Sequence, residues 1–212
     1  MTRYWLLITR YILFLLGIFF LMWGAFLIDA PVHAAVLKVE GVTWEHSFLN
    51  LIVRAVSRYG DWPELILFGL IAFFIARAFK NLRWQRIFLI AMIASTIAGG
   101  LTNTLRLTTG RTRPRASPAI EQGWYGVYHE GRCLIGISEY NSFPSGHTAT
   151  AIGFASVILF ASPFWGLVAM SLALAIASSR LLLGAHHPSD LLAASILGIG
   201  VAWFCWKYTR HE

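Results

Sequence analysis

Long uncharged apolar runs constrain this chain more than any other feature. Tyr11–Ile28, Leu65–Ala76, Ile87–Leu105 and Leu191–Trp206 carry no charged side chain, and Thr148–Ser179 is a further such run, too long for one crossing. A membrane helix needs about 20 mostly apolar residues, because it rises ~1.5 Å per residue across a hydrocarbon core of ~30 Å. Within the longest run, Ser162-Pro163 removes a helical hydrogen bond and pushes the preceding residue out of the helical region, so the run divides into two helices. The expected fold class is therefore all-α, a polytopic membrane helix bundle. Six transmembrane helices, at about 8–28, 63–79, 87–105, 147–162, 164–182 and 189–206, make one domain spanning 1–212, with a short interfacial helix in the first outer loop. Composition agrees: 57% of the residues are apolar and 13% charged, which does not suit a soluble domain.

The short second and last runs are extended by Glu64, Arg77 and Lys207, whose charged ends snorkel, and Trp62, Trp84, Trp203 and Trp206 fall where interfacial anchors belong. Arg3 and Arg10 before the first run, with Val32-His33-Ala34 after it, also fit a signal peptide, but the apolar run is longer than such peptides use. Between the first two spans, Trp44, Phe48, Ile52, Val56 and Tyr59 recur near helical spacing opposite Glu45, Asn50, Arg54, Ser57 and Arg58. This pattern predicts either an interfacial amphipathic helix or one packed on the bundle's rim. Cys133 and Cys205 lack the pairing of a disulfide scaffold or a zinc site.

Six spans place both termini on one side and loops one, three and five on the other. Loop three, Arg106 to His147, and loop five, Arg180 to Asp190, therefore meet at one face. The loop after the second span holds Arg77, Lys80, Arg83 and Arg86 without an acid, which assigns it to the cytoplasm. The net charge of +7, which in a soluble chain would raise nucleic-acid binding, divides accordingly. Arg3, Arg10, Arg77, Lys80, Arg83, Arg86, Lys207 and Arg210 face only Glu212 on the inside, while nine basic and nine acidic residues balance outside. The excess orients the bundle and implies no nucleic-acid partner.

Nearly all the polar chemistry lies in the two outer loops. Three clusters stand there: Arg106-Leu-Thr-Thr-Gly-Arg-Thr-Arg113-Pro114; Phe143-Pro144-Ser145-Gly146-His147; and Ser179-Arg180, followed by His186-His187-Pro188-Ser189-Asp190. Single arginines beside a span serve topology or lipid headgroups, but three converging with two histidines suit a phosphate, since guanidinium forks match its oxygens. Ser145 and Gly146 open a helix, where backbone N–H groups make an anion site, although a plain N-cap and turn glycine would use the same residues. His186 and Asp190 are four apart, a spacing that puts them on one helical face. An aspartate there can fix the imidazole tautomer and leave the other nitrogen free to attack; a metal half-site or a structural bond would read alike. Few carboxylates and several arginines argue against a cation, and His187 should point elsewhere.

In order and internal spacing, the three clusters resemble the signature of the type 2 phosphatidic acid phosphatase family: Lys-x6-Arg-Pro, Pro-Ser-Gly-His, Ser-Arg-x5-His-x3-Asp. Arg106 departs from it, standing where the family usually has lysine. The resemblance implies that His186 is the nucleophile of a phosphohistidine, that Asp190 orients it and that His147 protonates the leaving oxygen. It also implies that Arg106, Arg113, Ser145, Gly146 and Arg180 hold the phosphoryl oxygens, with no metal and no cofactor.

The expected activity is hydrolysis of a membrane lipid phosphate or diphosphate, of the undecaprenyl diphosphate, phosphatidylglycerol phosphate, phosphatidic acid or lipid A type. A phosphotransferase with the same intermediate and a non-enzymatic lipid transporter are the alternatives. The expected location is the plasma (bacterial inner) membrane, with the site facing the periplasm or exterior and both termini cytoplasmic. The partners are the bilayer and the lipid; nothing in the sequence bears on oligomeric state. Trp124, Tyr125, Tyr128, His129 and Arg132 in loop three either select the lipid or rest at the interface.

Overall fold

The computed structural model describes residues 2–39, 44, 47–117 and 119–209. Of the residues named above, Glu45, Arg210 and Glu212 lie outside these. Among the described residues the long helices are α1 (Thr2–Val39), α2 (Phe48–Tyr59), α3 (Trp62–Ala78), α4 (Leu82–Thr109), α5 (Gly146–Ala161), α6 (Pro163–Leu182) and α7 (Pro188–Thr209). Between α4 and α5 lies the long loop, with a two-stranded antiparallel hairpin, β1 (Tyr128–His129) against β2 (Arg132–Cys133), and a 3-10 turn at Ser138–Tyr140.

Helix ends follow local chemistry. Asp61 caps α3 by accepting from the Trp62 N–H, ahead of Pro63 and Glu64 in the first turn. Asn81 caps α4 through the Trp84 N–H, and Ser47 caps α2 through that of Asn50. The break expected at Ser162-Pro163 is present: Ser162, with extended backbone, ends α5 and begins α6. The candidate cleavage segment Val32-His33-Ala34 lies inside α1, which runs on to Val39.

α5 is the central helix, packed against α4, α6 and α7. Small residues permit this. Gly198 of α7 lies so close to α5 that a Cβ there would meet the Ala149 carbonyl oxygen at 2.8 Å, and Ala94, Ala98, Ala149 and Ala194 are fully buried. Close backbone approach of this kind drives helix association in lipid, where apolar burial alone gives no advantage. α1 lies against α7 at the periphery, with only 6% of its apolar window buried and Phe14, Leu15, Phe20 and Leu21 exposed.

Length and hydropathy qualify α1, α4, α6 and α7 as membrane spans, and a fifth if α2 and α3, bent by 68° at Gly60-Asp61, count as one. α5, with 16 residues, falls short by the same measure. The expected apolar runs lie within α1, α3, α4, α5, α6 and α7, although α1 continues to Val39 where an end near 28 was expected, and length does not decide how many of these helices cross. α2 turns the soluble pattern inside out: Phe48, Leu49, Leu51 and Ile52 are exposed, whereas Asn50, Val53 and Ser57 are buried. An apolar outer face is what a helix at a lipid boundary needs.

Candidate active site

The site grows from the C-terminal end of α4. Gly110 ends that helix in the left-handed region, φ 58°, where a Cβ would come within 2.0 Å of the Gly126 oxygen, so glycine is required. The chain then returns across the loop: Thr112 N–H donates to the Gly123 oxygen at 3.1 Å, Arg113 N–H to that of Glu139 at 2.8 Å, and Ser142 N–H to that of Arg111 at 3.0 Å. Two backbone bonds tie this loop to the α6–α7 turn, Arg115 N–H to the Gly184 oxygen (3.0 Å) and Ser145 N–H to the Asp190 oxygen (3.3 Å). The loops that parity of crossings brought together on paper are bonded in space.

His186 is buried, at 1% exposure. It lies in the turn before α7, which begins at Pro188, so the expected single helix carrying both His186 and Asp190 is corrected to a turn followed by a first helical turn. His186 Nδ1 is 2.7 Å from the Ser142 carbonyl oxygen and 3.6 Å from Asp190 Oδ2. A carbonyl only accepts, so Nδ1 carries the proton and Nε2 the lone pair. The nearest group defining the tautomer is therefore a main-chain carbonyl, with Asp190 supplying charge at ion-pair distance. Burial pushes the His186 pKa down to about 4, against the opposing pull of Asp190.

Asp190 is itself fully engaged. Oδ2 accepts from Ser142 Oγ at 2.5 Å and from the His187 N–H at 2.8 Å, and Oδ1 accepts from Arg111. His187 does point its ring elsewhere, with Nε2 3.2 Å from the Thr112 oxygen and the ring edge-on to His33, but its backbone belongs to the site.

Arg106, Arg113 and Arg180 converge. Arg113 lies in the field of Arg115, Arg180 and Arg106, and burial together with these charges lowers its pKa to about 10, so it stays a cation at neutral pH. Arg106 donates to Asn103 Oδ1 (2.8 Å), Arg180 to Ser57 Oγ of α2 (2.6 Å) and Arg113 weakly to the Asn141 oxygen (3.4 Å). The Nε–H of all three is buried without a partner among the described residues. Orphaned buried donors are costly, and three around one point suit a polyanion. Ser145 occupies the N-cap position of α5 yet makes no side-chain cap bond; its hydroxyl accepts from Thr148 Oγ1 at 3.0 Å, leaving its own proton to donate. Beside it, the Gly146 Cβ position lies 3.7 Å from Arg106 Nη1. His147, at the start of α5, sits in the field of Arg180, Asp61, His186 and Arg106. A cavity of about 540 Å³ opens beside it, lined also by Trp62, Thr96, Gly99, Gly100 and Arg106.

Sequence reasoning missed four groups: Ser142, which holds both His186 and Asp190, and Asp61, Arg111 and Asp29. Asp61, whose Oδ1 is 3.5 Å from His147 Nε2, reads as an ordinary helix cap. Arg111 lies inside the first cluster and Asp29 just past the first apolar run, with no spacing that marks either; both are buried at the site. Trp124, expected to rest at the interface or touch lipid, packs on the Arg111 guanidinium at 4.7 Å, and Tyr125 lies tilted against His129 and edge-on to Tyr140.

The PAP2 superfamily model matches residues 84–212, which includes all three clusters. The chain belongs to the PAP2 superfamily. Among curated proteins, it is 31% identical to a lipid A 1-phosphatase of Rhizobium johnstonii over 84% of this chain and 70% of that one. It is 28% identical to the bacitracin transport permease protein BcrC of Bacillus licheniformis, over 76% and 71% respectively. A putative undecaprenyl-diphosphatase of Escherichia coli, YbjG, is 31% identical over 57% of this chain and 60% of that one. In fold it is similar to Aquifex aeolicus LpxE, with a TM-score of 0.59, 19% identity, and 85% of this chain and 96% of that one covered. The PAP2-type phosphatidylglycerolphosphate phosphatase of Bacillus subtilis gives 0.55 and 18%, with 92% and 96% covered. The expected family and the all-α membrane architecture both stand: the chain is an integral membrane protein of the PAP2 lipid phosphatase family. Asp29 and Asp61 lie outside the matched segment.

Proposed function

We propose that this PAP2 protein removes a phosphate from a lipid phosphate or diphosphate through a phosphohistidine, without a metal. The observation that supports this reading is a His186 whose Nδ1 is held by the Ser142 carbonyl, leaving Nε2 its lone pair, in the field of Arg180 and Arg113, whose Nε–H donors, like that of Arg106, have no partner among the described residues. His186 Nε2 attacks phosphorus as the bond to the lipid oxygen breaks, and that oxygen takes a proton from His147. Water, losing a proton to His147, then cleaves the N–P bond and returns His186 to its neutral form. Arg106, Arg113, Arg180, the Ser145 hydroxyl and the backbone N–H groups at Gly146 hold the phosphoryl oxygens. Phosphoryl transfer asks mainly for such positioning and charge neutralisation.

In the same reading, 1–212 is one domain with six crossings, the site faces the periplasm or exterior, and both termini are cytoplasmic. The relatives' names support placing lipid A 1-phosphate and undecaprenyl diphosphate first in a panel with phosphatidylglycerol phosphate and phosphatidic acid. Assay of the purified protein in detergent should show phosphate release from at least one of these lipids and an acid-labile phosphoenzyme. His186→Ala should abolish both, and release near the wild-type rate by the folded variant overturns the proposal.

A further inference from the structure

α1 contributes one carboxylate to the bundle, Asp29, the only acid in a 38-residue helix that is mainly apolar and lies at the periphery. An ionisable group in such a helix is costly to retain and needs partners. Asp29 is buried, and three donors converge on it: Ser189 N–H on Oδ1 at 3.0 Å, and Ser189 Oγ and Arg111 Nη2 on Oδ2, each at 2.6 Å. From there Arg111 reaches the site. Its Nη1 donates to Ser189 Oγ at 2.7 Å and to Asp190 Oδ1, while its guanidinium plane is enclosed by Phe26, Trp124 and Phe143 at 5.3, 4.7 and 5.9 Å.

We propose that Asp29 is a positioning residue: through Arg111 and Ser189 it fixes the Asp190 carboxylate against His186, so that the first helix, outside the family-matched segment, is part of the catalytic apparatus. The inference rests on the phosphohistidine reading above. With Oδ1 of Asp190 taken by Arg111, rotation of the carboxylate is blocked and Oδ2 is left for Ser142, His187 N–H and the His186 ring. Charge matters as well. One arginine between two carboxylates leaves one net negative charge beside an imidazole that becomes cationic as the N–P bond forms. Without Asp29, Arg111 would cancel Asp190 alone. Asp29 also accepts from the Ser189 N–H in the first turn of α7, next to Asp190.

The test is a double-mutant cycle on protein purified in detergent, using the panel lipid that turns over fastest, with elution profile and melting temperature as checks on folding. Asp29→Asn should lower kcat about 10-fold with KM within about 2-fold, the size seen when a group supporting an active-site residue is lost. In an Asp190→Asn background the same change should cost less than about 2-fold, because the path it acts through is gone. An unchanged kcat, a rise in KM alone, or equal losses in both backgrounds overturns the inference. Should Asp29→Asn fail to accumulate, Ser189→Ala, which removes one hydroxyl, carries the same cycle with an expected loss of about 3-fold in the wild-type background alone. His186→Ala separates the two readings. An active His186→Ala sinks the phosphohistidine, whereas an inactive one beside a fully active Asp29→Asn sinks only the role of α1.

Discussion

At the scale of residues, the site is a set of buried charges each answered by a specific partner. Arg106 stands where lysine is usual in the signature that the sequence resembles, and it contributes a fork beside Gly146. Arg106→Lys should keep activity within about 10-fold, since the charge persists, while Arg106→Ala should lose about 100-fold or more; initial rates on one lipid phosphate decide. Asp190→Asn should lower kcat by roughly 1,000-fold or more, because the imidazole that becomes cationic on attack loses the carboxylate that stabilises it. His186, with its pKa lowered by burial to about 4, is neutral in the folded protein where an exposed histidine near 6.5 would already be protonated. The unfolded chain therefore binds the extra proton between those values, and stability falls as pH drops from about 6.5 toward 4. His187, also lowered by burial, adds in the same direction. Melting temperatures in detergent across pH 4 to 7 should show this decline, and a His186→Asn variant should show a shallower one.

Elements are positioned by backbone proximity more than by propensity. The α4–α5 loop is held by Gly110 in a conformation closed to other residues, with the Gly126 oxygen in the way of any Cβ. Gly110→Ala should therefore move Arg111 and Arg113 and abolish phosphate release, with far-ultraviolet circular dichroism nearly unchanged because the helices persist. Gly198 sets the distance from α7 to α5 in the same manner. Gly198→Val should destabilise by about 1–3 kcal/mol, the usual cost of overpacking, read as a lower melting temperature. α5 is cut short at Ser162-Pro163, and at that end the Ala161 oxygen accepts from Arg83 at 2.8 Å. A helix satisfied in this way need not match the full bilayer thickness.

For the whole molecule, orientation has a direct handle. Cys133 on β2 is exposed and Cys205 in α7 is buried. Under the proposed topology an impermeant thiol reagent labels Cys133 in intact spheroplasts, and labelling only after lysis reverses the assignment. EDTA should leave the rate unchanged, since three guanidinium groups neutralise phosphate where a divalent ion otherwise would; strict dependence on added metal contradicts the mechanism.

The helices and the three clusters were legible in the residues alone, because apolar run length, Ser162-Pro163 and the spacing of Arg106, His147 and His186 are local or one-dimensional properties. Even the meeting of two loops followed from counting crossings. What only the tertiary structure decided is who touches whom: that the Ser142 carbonyl holds His186, that Asp61 faces His147, and that Asp29 reaches Asp190 through Arg111. Those pairings join positions far apart in the chain, and spacing in sequence carries no information about them. Packing places them, and the cost of burying an unpaired charge maintains them.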